Sequence, residues 1–98
     1  MYTLIPTTKF KKDLKKVKIS LKDFEITSYL LKILQEKGVE GVPVRMNPHR
    51  LKGIYKSNWE CHIKPDLLII WFQIESPKII KLIRLGSHSE LFKYYCKK

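Results

Sequence analysis

Residues 51–85 decide the fold, and they read LKGIYKSNWECHIKPDLLIIWFQIESPKIIKLIRL. Four runs rich in β-branched and aromatic residues predict strands, at residues 51–56, 58–63, 67–74 and 79–85. Because the turns between these runs are too short for parallel crossovers, the strands are expected to form an antiparallel meander. Residues 67–72 are apolar on both faces, which predicts the central and most buried strand.

A short strand and a lysine-rich helix are predicted at the N-terminus. Residues 2–5 form the strand, Pro6 ends it, and Thr7 or Thr8 can cap the helix. Residues at positions i, i+4 and i+7 form one apolar stripe of this helix: Phe10, Leu14 and Val17. Lysines occupy the remaining face, at Lys9, Lys11, Lys12, Lys15, Lys16 and Lys18.

A second helix is predicted to begin after Ser20 and to end at Gly38. The apolar residues expected on one side of it are Phe24, Leu31 and Leu34, with Leu30 and Ile33 beside them. Neither a repeat nor a linker interrupts the pattern, so residues 1–98 are expected to form a single domain. Its predicted class is α+β, with the N-terminal strand and two helices packed on an antiparallel sheet of four to five strands.

The chain is strongly basic. Twenty Lys and Arg against nine Asp and Glu give a formal net charge of +11 in 98 residues. Such a field attracts phosphate backbones, acidic proteins or anionic membrane surfaces. Because no aromatic-rich amphipathic anchor accompanies the lysines, nucleic acid is favoured over a membrane. The two cysteines, Cys61 and Cys96, lack paired spacing, which is typical of a protein that stays in the reducing cytoplasm.

The antiparallel meander is expected to bring distant polar residues to one edge of the sheet. The start of the first strand, the end of the second, the start of the third and the end of the fourth all share that edge. The residues predicted to meet there are three histidines, one acid and one arginine: His49, His62, His88, Asp66 and Arg84. Each alone has an ordinary interpretation as a turn former, a packed ring or a surface ion pair, but the set favours a functional site.

These residue types fit the cleavage of RNA without a metal. In that reaction the substrate's own 2′-hydroxyl attacks the adjacent phosphate. A base must therefore take the hydroxyl proton, and an acid must protonate the leaving 5′-oxygen. Imidazole can do either near neutral pH, and a guanidinium can meet the charge that grows on the phosphate oxygens. DNA lacks the 2′-hydroxyl and is expected to be spared.

A zinc-type site is the rival interpretation of the same region. Its nominal ligands are His49, Cys61, His62, His88 and Cys96. Cys61 and His62 are neighbours on one predicted strand, so their side chains should point to opposite faces of the sheet. The paired ligand spacing of zinc sites is missing from the sequence as well. We therefore expect neither a metal nor another cofactor.

Several segments resemble the signature of the YafQ-type toxins, a branch of the RelE/ParE superfamily. The specific ones are residues 49–53, 59–70 and 84–92, and the opening residues 2–14 are similar to the family's first strand and lysine-rich helix. The resemblance implies a RelE-like fold and the toxin of a type II toxin–antitoxin system. It further implies a ribosome-dependent mRNA endoribonuclease, an mRNA interferase, that cuts messenger in the A site of the 70S ribosome. A cognate antitoxin would hold it inactive.

The resemblance also implies roles for individual residues. His49, His62, Asp66 and His88 match the family's catalytic histidines and aspartate. We expect His88 to be the general acid. The base is His49 or Asp66, with His62 orienting or assisting, and the division among these three stays open because interacting groups share their protons.

The substrate-binding residues come from the same comparison of motifs. Arg84 matches the family's phosphate-contacting arginine, and Phe92 matches its substrate-contacting aromatic. Lys52 and Lys56, together with the lysines of the first helix, are expected to contact RNA phosphates and so to position the substrate. Leu67 stands where the YafQ pattern has a tryptophan directly after the aspartate, so a stacking role is not expected there.

Two other classes of protein compete with the ribonuclease. The first is a non-catalytic RNA- or protein-binding module on the same fold, which the histidine set disfavours. The second is a zinc-dependent protein, which would lose its activity with a chelator. Residues 93–98 extend beyond the resemblance; they could lengthen a final helix, contact an antitoxin or do neither.

Overall fold

One five-stranded sheet carries the fold, in the order β1-β5-β4-β3-β2. A computed structural model describes residues 1–17 and 20–92 of the chain. The strands are β1 (Thr3–Pro6), β2 (His49–Arg50), β3 (Trp59–Lys64), β4 (Leu67–Glu75) and β5 (Lys78–Gly86). Neighbours from β2 to β5 are antiparallel, and β1 pairs with β5 in parallel. The predicted α+β class, the antiparallel meander and the central position of β4 are confirmed.

Within the described residues, the sheet is accompanied by three α-helices: α1 (Thr8–Lys16), α2 (Leu21–Lys37) and α3 (His88–Leu91). Thr7, rather than Thr8, caps α1 by accepting a hydrogen bond from the backbone of Phe10. Ser20 caps α2 as predicted, and Gly38 ends it. Of the helices within the described residues, none is long and apolar enough to cross a membrane.

The strand β4 is buried on both faces, as its continuous apolar run predicts. On the helix-covered face, a large core joins side chains of α1, α2 and the sheet; its fully buried members include Phe10, Leu30, Leu34, Cys61, Ile69, Trp71 and Ile80. On the opposite face, a smaller cluster is formed by Leu68, Ile70, Leu91 and Phe92. The short helix α3 covers this second face, so it holds down the end of the sheet where the histidines gather.

Two predicted apolar positions of the helices are wrong. Phe24 is 55% exposed, and Leu14 is also exposed. The buried stripe of α2 instead begins with Asp23 and Thr27, and α1 buries Asp13 in place of Leu14. These acids are tolerated because each finds a cation from a distant part of the chain, a partner that helical periodicity does not reveal.

The first predicted strand, at residues 51–56, is also wrong. The segment that pairs with β3 is the two-residue strand β2, and Gly53–Tyr55 forms a 3-10 helix. Positive φ angles of 73° at Gly53 and 72° at Ser57 break the extended conformation on either side of this helix. Because residues 49–50, rather than residues 51–56, pair with β3, His49 lies within the sheet and directly opposite Glu60.

Gly38 supplies a test of how tightly α2 is fitted to the sheet. It adopts a φ of 68°, and a Cβ atom there would lie 2.8 Å from Nε2 of Gln73 and from a ring carbon of Tyr2. We expect Gly38→Ala to lower the free energy of unfolding by about 1–3 kcal/mol, since both the backbone and the space disfavour a side chain. Urea denaturation measures the loss. The control Val44→Ala, at a residue 89% exposed, should change it by less than about 0.5 kcal/mol.

Candidate active site

The strand β3 presents Glu60 and His62 on the face of the sheet away from α1 and α2. Its alternate residues, Cys61 and Ile63, belong to the large core, so Glu60 and His62 must point the other way. His49 lies opposite Glu60 in the neighbouring strand β2. Nε2 of His49 is 3.0 Å from Oε1 of Glu60, and the ring centroids of His49 and His62 are 6.4 Å apart.

Glu60 is the buried centre of this arrangement. Its side chain is only 5% exposed, and its Oε2 atom has no hydrogen-bond partner among residues 1–17 and 20–92. Burial raises the pKa of Glu60, while the charges of His49, His62 and His88 act to lower it. All three histidines therefore lie within electrostatic reach of one carboxyl group. A buried oxygen without a partner costs stability, and such atoms concentrate at functional sites.

Glu60 and His49 are placed to share a proton. Nδ1 of His49 lies 2.7 Å from the backbone oxygen of Asn47, which can only accept, so Nδ1 carries a proton. The short contact from Nε2 to Glu60 then has two forms. Either an imidazolium donates to a carboxylate, or a protonated Glu60 donates to a neutral ring. In both forms one proton bridges the two residues, so the pair can accept or release a proton as a unit.

His88 is the first residue of α3, and three polar groups fix its position. Ser87 caps the helix and forms a reciprocal capping box with Glu90. Oδ1 of Asp66, in the turn between β3 and β4, accepts a hydrogen bond of 3.2 Å from the backbone N–H of His88. The ring of His88 packs on Phe92, with centroids 4.8 Å apart. The carboxylate of Asp66 thus contacts His88, the predicted general acid, at the backbone N–H of His88.

Arg84 is held from two sides. Its Nε and Nη2 atoms donate to the two carboxylate oxygens of Asp13, at 2.7 and 3.1 Å, and Nη1 donates to the Tyr55 hydroxyl at 3.3 Å. The hydrogen bonds to Asp13 raise the pKa of Arg84, so the guanidinium stays charged. Arg84 lines a cleft of about 500 Å³ with Lys9 and Lys16. Arg84 is connected to His88 through Tyr55, whose ring packs on Phe92, and through Phe92, whose ring packs on His88.

Comparisons with known proteins identify the family of the chain. A family model described as "Bacterial toxin of type II toxin-antitoxin system, YafQ" matches residues 2–93. The chain belongs to the YafQ family. The mRNA interferase toxin YafQ of Escherichia coli (strain K12) is 28% identical over 83 residues, which are 85% of this chain and 87% of that protein.

Solved structures of related toxins share the fold. A metal-bound toxin from Helicobacter pylori is 38% identical, with a TM-score of 0.70, and the match covers 94% of this chain and 100% of that one. YafQ in the E. coli DinJ–YafQ complex is 25% identical, with a TM-score of 0.80, covering 94% of this chain and 99% of that one. The fold of this YafQ-family toxin is therefore RelE-like, as its sequence predicts.

The predicted substrate-binding residues of this toxin have different surroundings. Phe92 is buried between the rings of Tyr55 and His88, with the Tyr55 and Phe92 centroids 5.4 Å apart and edge to face. Lys52 and Lys56 are exposed on either side of the 3-10 helix. Their predicted contacts with RNA remain predictions. Lys18, residues 93–98 and Cys96, which also entered the predictions, lie outside the described residues.

Possible metal ligands do not cluster in the part of the toxin that the structure describes. Residues 1–17 and 20–92 contain no group of three or more His, Cys, Asp or Glu side chains placed to hold a metal ion. Cys61 is fully buried in the large core, where burial raises the pKa of its thiol to about 12. The thiol is therefore protonated near neutral pH and a poor ligand.

The sequence predictions missed Glu60, Asp13 and Tyr55. For Glu60 a signal was available, because an acid two residues before His62 must share its face of a strand. For Asp13 and Tyr55 no such signal existed. Asp13 meets Arg84 across 71 positions of the chain, and Tyr55 reaches it only because residues 53–55 leave the predicted strand.

Proposed function

We propose that this YafQ-family toxin is a metal-independent endoribonuclease that cuts messenger RNA by general acid–base catalysis. The observation that carries the proposal is the buried Glu60, with one oxygen bound to His49 and the other without a described partner, within the charge field of three histidines. The name of the E. coli relative, an mRNA interferase, supports the same substrate.

The Glu60–His49 pair is the proposed base. Because the Oε2 atom of Glu60 is buried in the free toxin, the side chains that cover it must move when the substrate binds. Oε2 then accepts the proton of the substrate's 2′-hydroxyl, and the bridge to His49 spreads the resulting charge over two residues. Among the candidates that the sequence offers, this favours His49, acting with Glu60, over Asp66. Asp66 already accepts the backbone N–H of His88, and we assign it the task of holding α3. His62, beside His49, assists by orienting the substrate.

His88 is the proposed general acid. Its exposed side chain stands at the start of α3, where it can protonate the leaving 5′-oxygen. Arg84 provides the cation for the negative charge that grows on the phosphate oxygens. Phe92 supports the ring of His88 and contacts the substrate through the edge of its own ring. Lys52 and Lys56 bind neighbouring phosphates of the RNA. A Mg²⁺ or Zn²⁺ ion has no step in this scheme.

The proposed setting is the A site of the 70S ribosome, in the cytoplasm. The net charge of +11 suits a protein that must enter a surface of RNA phosphates. A cognate antitoxin is the proposed regulator, since the E. coli YafQ was solved in complex with DinJ. We assign all of these contacts to one domain, residues 1–98.

Mapping the ends of cleaved messenger tests the proposal. In a purified translation system, the toxin should generate 5′-hydroxyl and 2′,3′-cyclic phosphate ends. Replacing the scissile nucleotide by its 2′-deoxy form should abolish cleavage at that site. A chelator selective for zinc and copper, which leaves Mg²⁺ and the ribosome intact, should change nothing. Growth arrest without cleaved messenger would instead favour a non-catalytic binding module, and cleavage without ribosomes would contradict the ribosome-dependent setting.

A further inference from the structure

Asp13 is a buried acid in the middle of a lysine-rich helix. It is 7% exposed, and the other charged residues of α1 are lysines: Lys9, Lys11, Lys12, Lys15 and Lys16. Its carboxylate accepts three hydrogen bonds. Oδ2 accepts Nε of Arg84 at 2.7 Å and the backbone N–H of Leu85 at 2.9 Å, and Oδ1 accepts Nη2 of Arg84 at 3.1 Å. Asp13 therefore fixes both the place and the plane of the guanidinium.

Stability alone is a weak reason for this ion pair. The side chains of Arg84 and Asp13 are 19% and 10% exposed, so both charges have lost most of their hydration. Pairs buried to this degree are often no more stabilising than apolar residues of similar volume. A role in orienting Arg84 explains better why a charged pair occupies the junction of α1 and β5.

The pair extends by hydrogen bonds and ring contacts to the helix that carries His88. Nη1 of Arg84 donates to the hydroxyl of Tyr55, which in turn donates to the backbone oxygen of Leu91 at 3.1 Å. Leu91 is the last residue of α3. The Tyr55 ring also packs edge to face on Phe92, whose ring lies against His88. The side chain of Asp13 is thus linked to both ends of α3.

We propose that Asp13 is a positioning residue for RNA cleavage: it holds Arg84 in the orientation that meets the phosphate and, through Tyr55, steadies the helix that carries His88. This inference rests on the proposed ribonuclease function. Without the carboxylate, the guanidinium can rotate away, and α3 loses one of its supports. The transition state is then less stabilised. Binding of RNA in the ground state is maintained or strengthened, because a negative charge has left a basic surface.

The variant Asp13→Asn separates these effects. It keeps the shape of the side chain, removes one negative charge and can no longer accept Arg84 through two oxygens. We expect kcat for messenger cleavage to fall roughly tenfold to a hundredfold, with KM unchanged or lower. Asp23→Asn is the matched control. Asp23 is also a buried acid, paired at 2.7 Å with Lys64, and its loss changes the net charge by the same amount. Its kcat should stay within about twofold of wild type.

Each outcome of this comparison is decisive. Equal kcat values for the two variants would overturn the role of Asp13. So would a loss in Asp13→Asn that disappears after correction for the folded fraction, measured by circular dichroism. Tyr55→Phe covers the case in which Asp13→Asn does not fold. It removes only a hydroxyl, and kcat should fall about threefold to tenfold at constant KM; an unchanged kcat would overturn the link to α3. A wild-type toxin that leaves messenger intact would instead overturn the proposed function itself.

Discussion

Replacing His88 by alanine is expected to lower the single-turnover rate of messenger cleavage by about 10²–10⁴-fold, which is the usual contribution of a general acid. The ring stands at the start of α3, held by Asp66 at its backbone and by Phe92 at its face. Its removal leaves the leaving 5′-oxygen without a proton donor, while the phosphate-binding cations stay in place. Binding of messenger should therefore change by less than about threefold. Quenched-flow cleavage of an end-labelled messenger on stalled ribosomes measures both quantities.

Two further variants make the His88 experiment specific. His88→Gln keeps a polar side chain of similar length but cannot transfer a proton, so it should be as inactive as the alanine variant. Ser89→Ala, at the exposed neighbouring position, should cleave like wild type. Free imidazole in the buffer should restore part of the activity of His88→Ala. A rate within fivefold of wild type for His88→Ala would contradict the role of His88 as acid.

Glu60→Gln is expected to lose cleavage and to gain stability. The amide has the size of the carboxyl group but cannot take the proton of the 2′-hydroxyl, so the single-turnover rate should fall about 10²–10³-fold. At the same time, the variant removes a carboxyl group that is buried with one oxygen lacking a described partner. We expect a higher midpoint of thermal unfolding at pH 7, because burial costs a neutral amide less than it costs a carboxylate.

The pH dependence of this gain in stability has a definite sign. Because burial raises the pKa of Glu60 above its ordinary value of 4.5, the folded protein holds the proton more tightly than the unfolded chain does. The contribution of protonated Glu60 to stability is complete below pH 4.5, and it is lost as the pH rises through the higher pKa of the folded state. The advantage of Glu60→Gln over wild type should therefore grow from acid to neutral pH.

Urea denaturation at several pH values checks this prediction. The control is Glu25→Gln, which removes the same charge from an exposed residue of α2 and should show no such trend. An advantage of Glu60→Gln that shrinks as the pH rises would mean that the three histidines, rather than burial, dominate the protonation of Glu60.

The two buried acids around the site illustrate two uses of a carboxylate. Asp13 accepts three hydrogen bonds, which satisfy both of its oxygens, and it therefore fits a positioning task. Glu60 uses one oxygen and keeps the other without a partner in the described part of the chain. An unsatisfied group of this kind is costly, and a proton acceptor for the substrate must have one lone pair ready.

The sheet could be predicted from the sequence because its signal is local. The apolar run of β4 and the short turns beside it dictate an antiparallel meander with β4 at its centre, and the meander in turn gathers His49, His62 and His88. The segment at residues 51–56 has apolar residues too. The conformation of this segment depends on positive φ angles at Gly53 and Ser57, which a pattern of apolar residues does not reveal.

The remaining errors share one physical cause. Whether a charged residue is buried depends on a partner that folding brings from elsewhere, as Arg84 comes to Asp13 and Lys64 to Asp23. A pattern that counts apolar residues assigns such positions to the surface and places Leu14 or Phe24 inside instead. The burial of Glu60 was missed by the sequence predictions for the same reason. The one available indication of its place in the site was His62, which shares its face of the strand.

The most direct test is the structure of His88→Ala bound to an intact messenger on the ribosome, where the substrate should stay uncleaved. The distance to measure joins Oε2 of Glu60 to the 2′-oxygen of the nucleotide before the scissile phosphate. We expect a hydrogen bond of about 2.6–3.2 Å, with His49 still bound to the other oxygen of Glu60. A 2′-oxygen that faces Asp66 instead, or that lies beyond reach of Glu60 altogether, would contradict the Glu60–His49 pair as the base.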